Sequence, residues 1–460
     1  MRHLELFSLL SVVLLALIVS GCGGGGNSVG HTTQTITFAN PGTQTVGVPL
    51  ALSAEASSDA AVTLTSATPG VCTVSATTAT FVTAGTCTID ASQSGNSTYA
   101  AASQVAQSFT VNPAIGPNTT IYIAGSAIPT VNLPNGLNVA EVWKLTSGSP
   151  TATATALSMP GGMTSSQAYA IAVSGSDVYV SGYAGNSTGR TAVLWVNGAP
   201  TILPSGMVSS EAGAIAVSGG NVYVTGAGWN NTDGGTALLW VNGTATTLAP
   251  PSGMAYAGAG AIAVSGSDVY VAGYAWNTGS DSSAVLWLNG TATQLPMPTG
   301  LTGSYYVQGI AVSGVNVYMS GITNPDVGND TAIFWVNGGA ATTLPLPPND
   351  TTQSYGAGAT AVLGNDVYVV GSGVSGATGN TTAAYWLNGT PTSLPLPTNT
   401  IGFPATSFAA GIGFSGSDVY VVGSAGQYAT YWVNGGAGTL LPTPSCIAYS
   451  NASAIAVATQ

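Results

Sequence analysis

The sequence predicts an all-β protein: a β-sandwich followed by a seven-bladed β-propeller that strands from both ends of the repeat region close. Three observations predict it. A tyrosine in a Val-Tyr-Val-like run recurs at Tyr122, Tyr179, Tyr223, Tyr270, Tyr318, Tyr368 and Tyr420, and a tryptophan follows each, at Trp143, Trp195, Trp240, Trp287, Trp335, Trp386 and Trp432. Repeats of this period are stacked supersecondary units. Asn-Gly, the type I′ hairpin signal, follows six of the tryptophans, beginning at Asn197, Asn242, Asn289, Asn337, Asn388 and Asn434, whereas the first copy has Thr146-Ser147-Gly148. Finally, six copies are complete and the seventh lacks its first strand, while Ala454-Ile455-Ala456-Val457 near the C-terminus repeats Ala170-Ile171-Ala172-Val173.

Each repeat reads as four strands. In the third complete copy these are Ala261-Ile262-Ala263-Val264, Asp268-Val269-Tyr270-Val271, Ala284-Val285-Leu286-Trp287-Leu288 and Thr293-Gln294-Leu295-Pro296. Complete copies are expected to begin near Ala170, Ala214, Ala261, Gly309, Ala359 and Gly411, with the C-terminal segment pairing beside Ile121. Closure removes a sheet edge that an open solenoid, the alternative, leaves unpaired. Strand two is apolar at nearly every position, as when both sheet faces are covered, so the repeated tyrosines and tryptophans are expected in the core. Burying one indole gives a gross transfer gain of about 4–5 kcal/mol. Asp177, Asp268, Asp366 and Asp418 share one turn position with Asn221 and Asn316, where a short polar side chain is expected to bond its own turn.

Composition sets the compartment and excludes one class of partner. Only 4% of the 460 residues are charged and the net charge is −12, a profile of secreted β-proteins. Nucleic acid is excluded as a partner, because phosphate contacts need clustered cations and only Arg2, Lys144 and Arg190 exist. Residues 1–21 read as an export signal: Arg2, an apolar run over residues 9–19 that is short for a membrane span, then Val19-Ser20-Gly21-Cys22. That ending resembles the lipobox of bacterial lipoproteins. The resemblance implies acylation of Cys22 and a protein held to the membrane through its lipid anchor only. An ordinary signal peptide is the alternative. Gly23 after the cysteine resembles the outer-membrane sorting class, facing the periplasm or the cell surface. Residues 22–33 then form a flexible tether.

Residues 34–113 are the sandwich, with alternating runs such as Thr35-Ile36-Thr37-Phe38 and Phe109-Thr110-Val111. Cys72 and Cys87 are expected to pair across neighbouring strands, and Cys446 to remain a buried thiol. The stretches Thr65 to Val74, Phe81 to Ile89 and Ser108 to Pro113 resemble the Ig-like repeats of bacterial surface proteins, a likeness that implies a spacer or an adhesive module. Residues 114–460 are the propeller. Its Val-Tyr-Val-x-Gly strand followed by Trp loosely resembles kelch repeats, and more closely the Val-Tyr-Val-x-Gly/Trp-x-Asn-Gly repeat proteins of bacterial envelopes, which imply a fold but no activity.

No catalytic constellation emerges. Beyond the signal the only histidine is His31, in the tether, so histidine metal sites and Ser-His-Asp chemistry lack material, and no cofactor is expected. Gly185-Asn186-Ser187-Thr188-Gly189 matches a nucleophile elbow by letter but lies between two strands. Asp233, Asp281, Asp326, Asp330 and Asp350 fall in the longer loops. Asp326 and Asp330 are weak calcium candidates, with solvated loop carboxylates as the plainer reading. The same face carries Trp229 and Trp276, outside the repeated series, with Tyr183, Tyr256, Tyr274, Tyr305, Tyr306 and Tyr355 nearby. Such rings with Asp and Asn suit sugars and equally a protein hot spot. The expectation is a non-catalytic, envelope-tethered module binding glycan or envelope protein near Trp229, Trp276, Tyr256, Tyr274, Asp233 and Asp281. A structural spacer or platform is the second reading. A polysaccharide-active enzyme using Asp233 and Asp281 is the last.

Overall fold

In the computed structural model the described residues are 31–459, apart from residue 117 and residues 130–137, 148, 150–151, 231–233, 326–328, 348–351, 376–379, 398–404 and 444–446. Every regular element among them is a β-strand. The lipidation candidate Cys22, the cysteine Cys446 and the loop acids Asp233, Asp326 and Asp350 lie outside the described residues.

The N-terminal strands form a four-stranded sheet (Gln44–Thr45, Val105–Asn112, Gly85–Ser92, Thr63–Ser66), a three-stranded sheet (Leu50–Ala51, Thr78–Phe81, Cys72–Ser75) and the pair Ile36–Phe38 with Ala54–Ala56. Alternation explains them: each strand sends one set of side chains into a common core that includes Ile36, Phe38, Leu64, Phe81, Ile89 and Phe109. Cys72 and Cys87 are disulfide-bonded, with Cα atoms 5.7 Å apart. The pair was expected across neighbouring strands, but Cys72 belongs to the three-stranded sheet and Cys87 to the four-stranded one. Both cysteines point into the core, so the bond joins two sheets rather than two strands of one sheet.

After Thr119, seven four-stranded antiparallel sheets follow among the described residues. We number them in chain order: sheet 1 begins at Ser165, sheet 2 at Ser209, sheet 3 at Tyr256, sheet 4 at Ser304, sheet 5 at Thr352 and sheet 6 at Ser407. Sheet 7 combines Thr119–Pro129, Val139–Thr146 and Thr153–Ala156 with the C-terminal strand Ile447–Thr459. There Ile121 pairs with Val457 and Ile123 with Ile455. The first strands of successive sheets lie side by side, and the C-terminal strand touches the first strands of both sheet 6 and sheet 1. Sheets packed around an axis in this way are the blades of a β-propeller.

The first strands start about five residues before the expected positions, as at Tyr256 rather than Ala261. In their leading halves only a small apolar residue before the bulge recurs, as at Ala168, Ala212, Ala259, Ala357 and Ala409, a signal too weak to announce a strand.

The repeated tryptophans hold each sheet to the one before it. All seven are fully buried, and each indole Nε1 donates to a carbonyl leaving the preceding sheet: Trp195 to Ser158, Trp240 to Pro204, Trp287 to Ala249, Trp335 to Pro296, Trp386 to Pro345 and Trp432 to Pro395. Trp143 of sheet 7 donates at 2.8 Å to Pro442, just after sheet 6. Burial supplies the larger energy, and the hydrogen bond keeps the indole N–H from being stranded. The repeated tyrosines differ from expectation. Tyr368 and Tyr420 are buried, but the other five, which like them stand just after the turn that opens strand two, are only half-buried.

The hairpin asparagines take a left-handed backbone, φ 49–54° at all six positions, which Asn tolerates. In sheet 3 the Asn289 Oδ1 accepts from Val269 N and its Nδ2 donates to Asp268 Oδ1, both at 2.9 Å. The other five copies repeat the pair. Asp177, Asp268, Asp366, Asp418, Asn221 and Asn316 therefore accept from the neighbouring hairpin, where bonding within their own turns was expected. The two turns emerge side by side, so the longer-range bond wins.

One core position breaks the pattern. Glu141 occupies, two residues before its tryptophan, the place of Val193, Leu238, Val285 and Ile333. It is 3% exposed and its Oε2 has no hydrogen-bond partner among the described residues. Burial pushes its carboxyl up to about 7.

Candidate binding cleft and central cavity

The site is built on a β-bulge that every sheet repeats. In all seven sheets the first strand carries one more residue than the strand it pairs with, at the same place: Tyr169, for example, lies between the paired residues Ala168 and Ala170. A bulge re-aims a side chain. The bulge residues face the axis, where they line a cavity of about 370 Å³. Five are small, namely Gly213, Gly260, Gly358, Ala410 and Ser453, and the other two are Tyr169 and Gln308.

This bulge explains the glycine of the Val-Tyr-Val-x-Gly motif. Gly125, Gly182, Gly226, Gly273, Gly321, Gly371 and Gly423 each sit across from it, and a Cβ at any of them would fall well inside 3.0 Å of a main-chain oxygen on the bulged strand. The motif glycine is needed for this close approach, not for a turn.

Beside the cavity, on the face of the longer loops, three sheets send aromatic rings into one cleft of about 580 Å³. Trp229 comes from sheet 2, Tyr274 and Trp276 from sheet 3, and Tyr306 from sheet 4. Ser282, Val307, Gly260 and Gln308 complete the lining. Tyr274 and Trp276 follow one another on the same face of a strand and stack, with centroids 5.2 Å apart, while Tyr306 meets the Tyr274 ring edge-on at 5.1 Å. Glycines make room for these rings. A Cβ on Gly235 would lie 3.1 Å from both Trp229 and Trp276, and one on Gly258 would lie 3.1 Å from the Tyr274 ring. Gly260 and Gln308 line both spaces, so the cleft leads into the mouth of the cavity.

A polar group guards the other side of that mouth. Tyr169 donates through its hydroxyl to Glu211 Oε2 at 3.2 Å, and Arg190 forms an ion pair with Glu211. The guanidinium lies 4.6 Å over the Tyr183 ring, whose hydroxyl donates to Gln167 Oε1 at 3.2 Å. Burial, then the Glu211 carboxylate, raises the Tyr169 hydroxyl above its ordinary value, and the bond to Glu211 does the same for Arg190.

The expected site residues fall into three groups. Trp229, Trp276 and Tyr274 come together in the cleft. Tyr256 supports it from outside the lining, packed on Trp276 at 5.7 Å. Asp281 is exposed outside the lining, where its Oδ1 accepts from Ser304 at 3.5 Å. Asp330 acts through its backbone, the N donating to Ser354 Oγ and the carbonyl accepting from Tyr355 N.

Three of the loop aromatics, Tyr183, Tyr305 and Tyr355, prove to be buried. Tyr305 is buried and donates to Leu295 O at 2.8 Å, and Tyr355 packs edge-on against Trp386. Their strands begin earlier than expected, which carries both rings between sheets. Sequence reasoning missed Tyr169, Gln308 and Glu211, and the available signal was the motif glycine that marks the bulge.

Fold and site together define a repeat β-propeller with an aromatic cleft beside its axis. No protein-family model matches the sequence, and no curated protein matches it. Among solved structures it is similar to the β-propeller domain of the Trilobed protease from Pyrococcus furiosus, at 9% identity and a TM-score of 0.41, over 71% of this chain and 93% of that one. It is also similar to YCF48 bound to D1 peptide, at 13% identity and a TM-score of 0.39, over 72% and 95%. Against the acylaminoacyl peptidase of Pyrococcus horikoshii the identity is 11% and the TM-score 0.41, over 71% of this chain. The chain spans about half the length of that peptidase, 51%. Likenesses this distant bear on no activity.

Proposed function

We propose that the chain is a non-catalytic binding module of the cell envelope, exported and held to the outer membrane by a lipid on Cys22. In this reading residues 34–113 are an Ig-like stalk, and residues 114–460 a seven-bladed propeller that presents its long-loop face to a glycan or an envelope protein. The observation that carries the reading is the convergence of Trp229, Tyr274, Trp276 and Tyr306, from three sheets, on one open cleft. Large rigid rings supply contact area at little entropic cost, and backbone glycines have been placed to admit them.

A spacer or assembly platform is the second reading. It is favoured by the bond from Asn112 Nδ2 at the end of the N-terminal unit to Thr439 Oγ1 of sheet 6, at 3.0 Å, which ties the two units together. The Trp229→Ala, Trp276→Ala double variant separates the two. A binding module loses its ligand with its melting temperature nearly intact. A platform either has no ligand at the cleft or loses stability. Turnover of a polysaccharide that Asp281→Asn abolishes would displace both in favour of an enzyme.

A further inference from the structure

We infer that the ligand of the cleft is an uncharged pyranoside chain, laid along the aromatic wall and ending at the cavity mouth, where Gln308 meets its terminal hydroxyls; the inference rests on the binding reading above.

Charge decides the class. The whole chain has three Lys and Arg residues. Arg2 lies in the expected signal segment, Lys144 sits over the Tyr122 ring in sheet 7 at 5.6 Å, and Arg190 is paired with Glu211. No cation is left to meet a uronate, sulfate or phosphate, and a buried anion without a partner is unfavourable. The same pair neutralises Glu211, so among the described residues a cationic ligand finds no free carboxylate at the mouth either. The polar groups that remain along the lining are the Gln308 amide, the hydroxyls of Ser282, Tyr274 and Tyr306, and the indole N–H groups of Trp229 and Trp276. These offer donors and acceptors together, which matches sugar hydroxyls, whereas a proline-rich peptide brings acceptors alone. Burial, then neighbouring Tyr306, raises the Tyr274 hydroxyl, which keeps it a neutral donor.

Position decides the orientation. Gln308 is exposed and stands at a bulge where Gly213, Gly260 and Gly358 stand in other sheets. It therefore adds a polar reader at a place the fold does not need it, between the cleft and the axis.

The test is calorimetric titration of the full chain in detergent with neutral hexasaccharides of glucose, mannose, galactose and N-acetylglucosamine, with hexagalacturonate, and with decaproline. At least one neutral hexamer is expected to bind, about ten-fold tighter than hexagalacturonate. Trp276→Ala is expected to weaken it about ten-fold. Gln308→Gly, which copies the neighbouring repeats and leaves the melting temperature unchanged, is expected to weaken it about five-fold or more. If hexagalacturonate or decaproline binds as tightly and is lost in Trp276→Ala, the uncharged-glycan inference is overturned while the binding reading stands. Binding of a neutral hexamer unaffected by Gln308→Gly overturns the orientation. If nothing in the panel binds in a Trp276-dependent way, the inference fails and the platform reading gains.

Discussion

Glu141 should make the propeller more stable in mild acid than in mild base. The carboxyl is 3% exposed in a core position that four other sheets fill with Val, Leu or Ile, and Oε2 has no partner among the described residues. Its pKa in the folded state is raised from 4.5 to about 7 by burial. The folded state therefore holds the proton more tightly than the unfolded chain. The proton's stabilisation is fully present below 4.5, is lost as pH rises from 4.5 through about 7, and is absent above. At about 1.4 kcal/mol for each pH unit in that window, ionisation costs the fold about 3 kcal/mol at pH 8. Urea unfolding at pH 5 and pH 8, followed by tryptophan fluorescence, measures it. Glu141→Gln carries no proton to lose at this position, so its stability should differ much less between the two pH values than that of wild type. Glu141→Leu should raise stability at pH 8 by removing a buried charge. Equal pH dependence in wild type and Glu141→Gln would refute the reasoning.

Three further outcomes follow from the fold. Gly273→Ala drives a Cβ into the carbonyl of Gly258 and should cost about 1–3 kcal/mol or prevent folding, while Ala272→Gly beside it should cost far less; similar melting temperatures for the two would count against the bulge. Deleting residues 452–460 removes the strand segment that pairs with Thr119–Gly125 and should lower the melting temperature of the whole ring, so an unchanged transition would sink closure by mixed ends. Replacing Cys72 and Cys87 with Ser opens a loop of 15 residues and should cost the N-terminal unit about 3 kcal/mol, seen by calorimetry as a shift of one transition with the propeller transition in place.

Much of the propeller is legible in the sequence because its repeated residues do repeated work. Trp287 makes one bond and Asn289 a pair of bonds that recur in nearly every copy, so chemistry and spacing coincide. The leading half of each first strand is illegible for the opposite reason. Before the bulge these strands pack mostly through small residues such as Ala257 and Ala259, and alternation restarts out of phase after the extra residue. Trp229 and Trp276 stand out by composition, and both line the cleft. Tyr169 and Gln308 do not stand out, because a tyrosine and a glutamine in a strand are ordinary until the strand is known to bulge under them. The inter-sheet disulfide was legible as a pair but not as a link between layers, since the spacing of two cysteines does not say which sheet each strand joins.

The bulge also bears on how such a protein diversifies. A substitution in a blade core must satisfy neighbours on both sides, but a Cβ added at the bulge glycines Gly213, Gly260 and Gly358 meets nothing closer than 3.5 Å, and the register there is locked by the glycine opposite. Each copy thus carries one position that faces the common axis, and at three of them there is room for a larger residue. Duplication of a repeat supplies a new such position already aimed, so recognition can be rewritten one residue at a time while the scaffold stays constant.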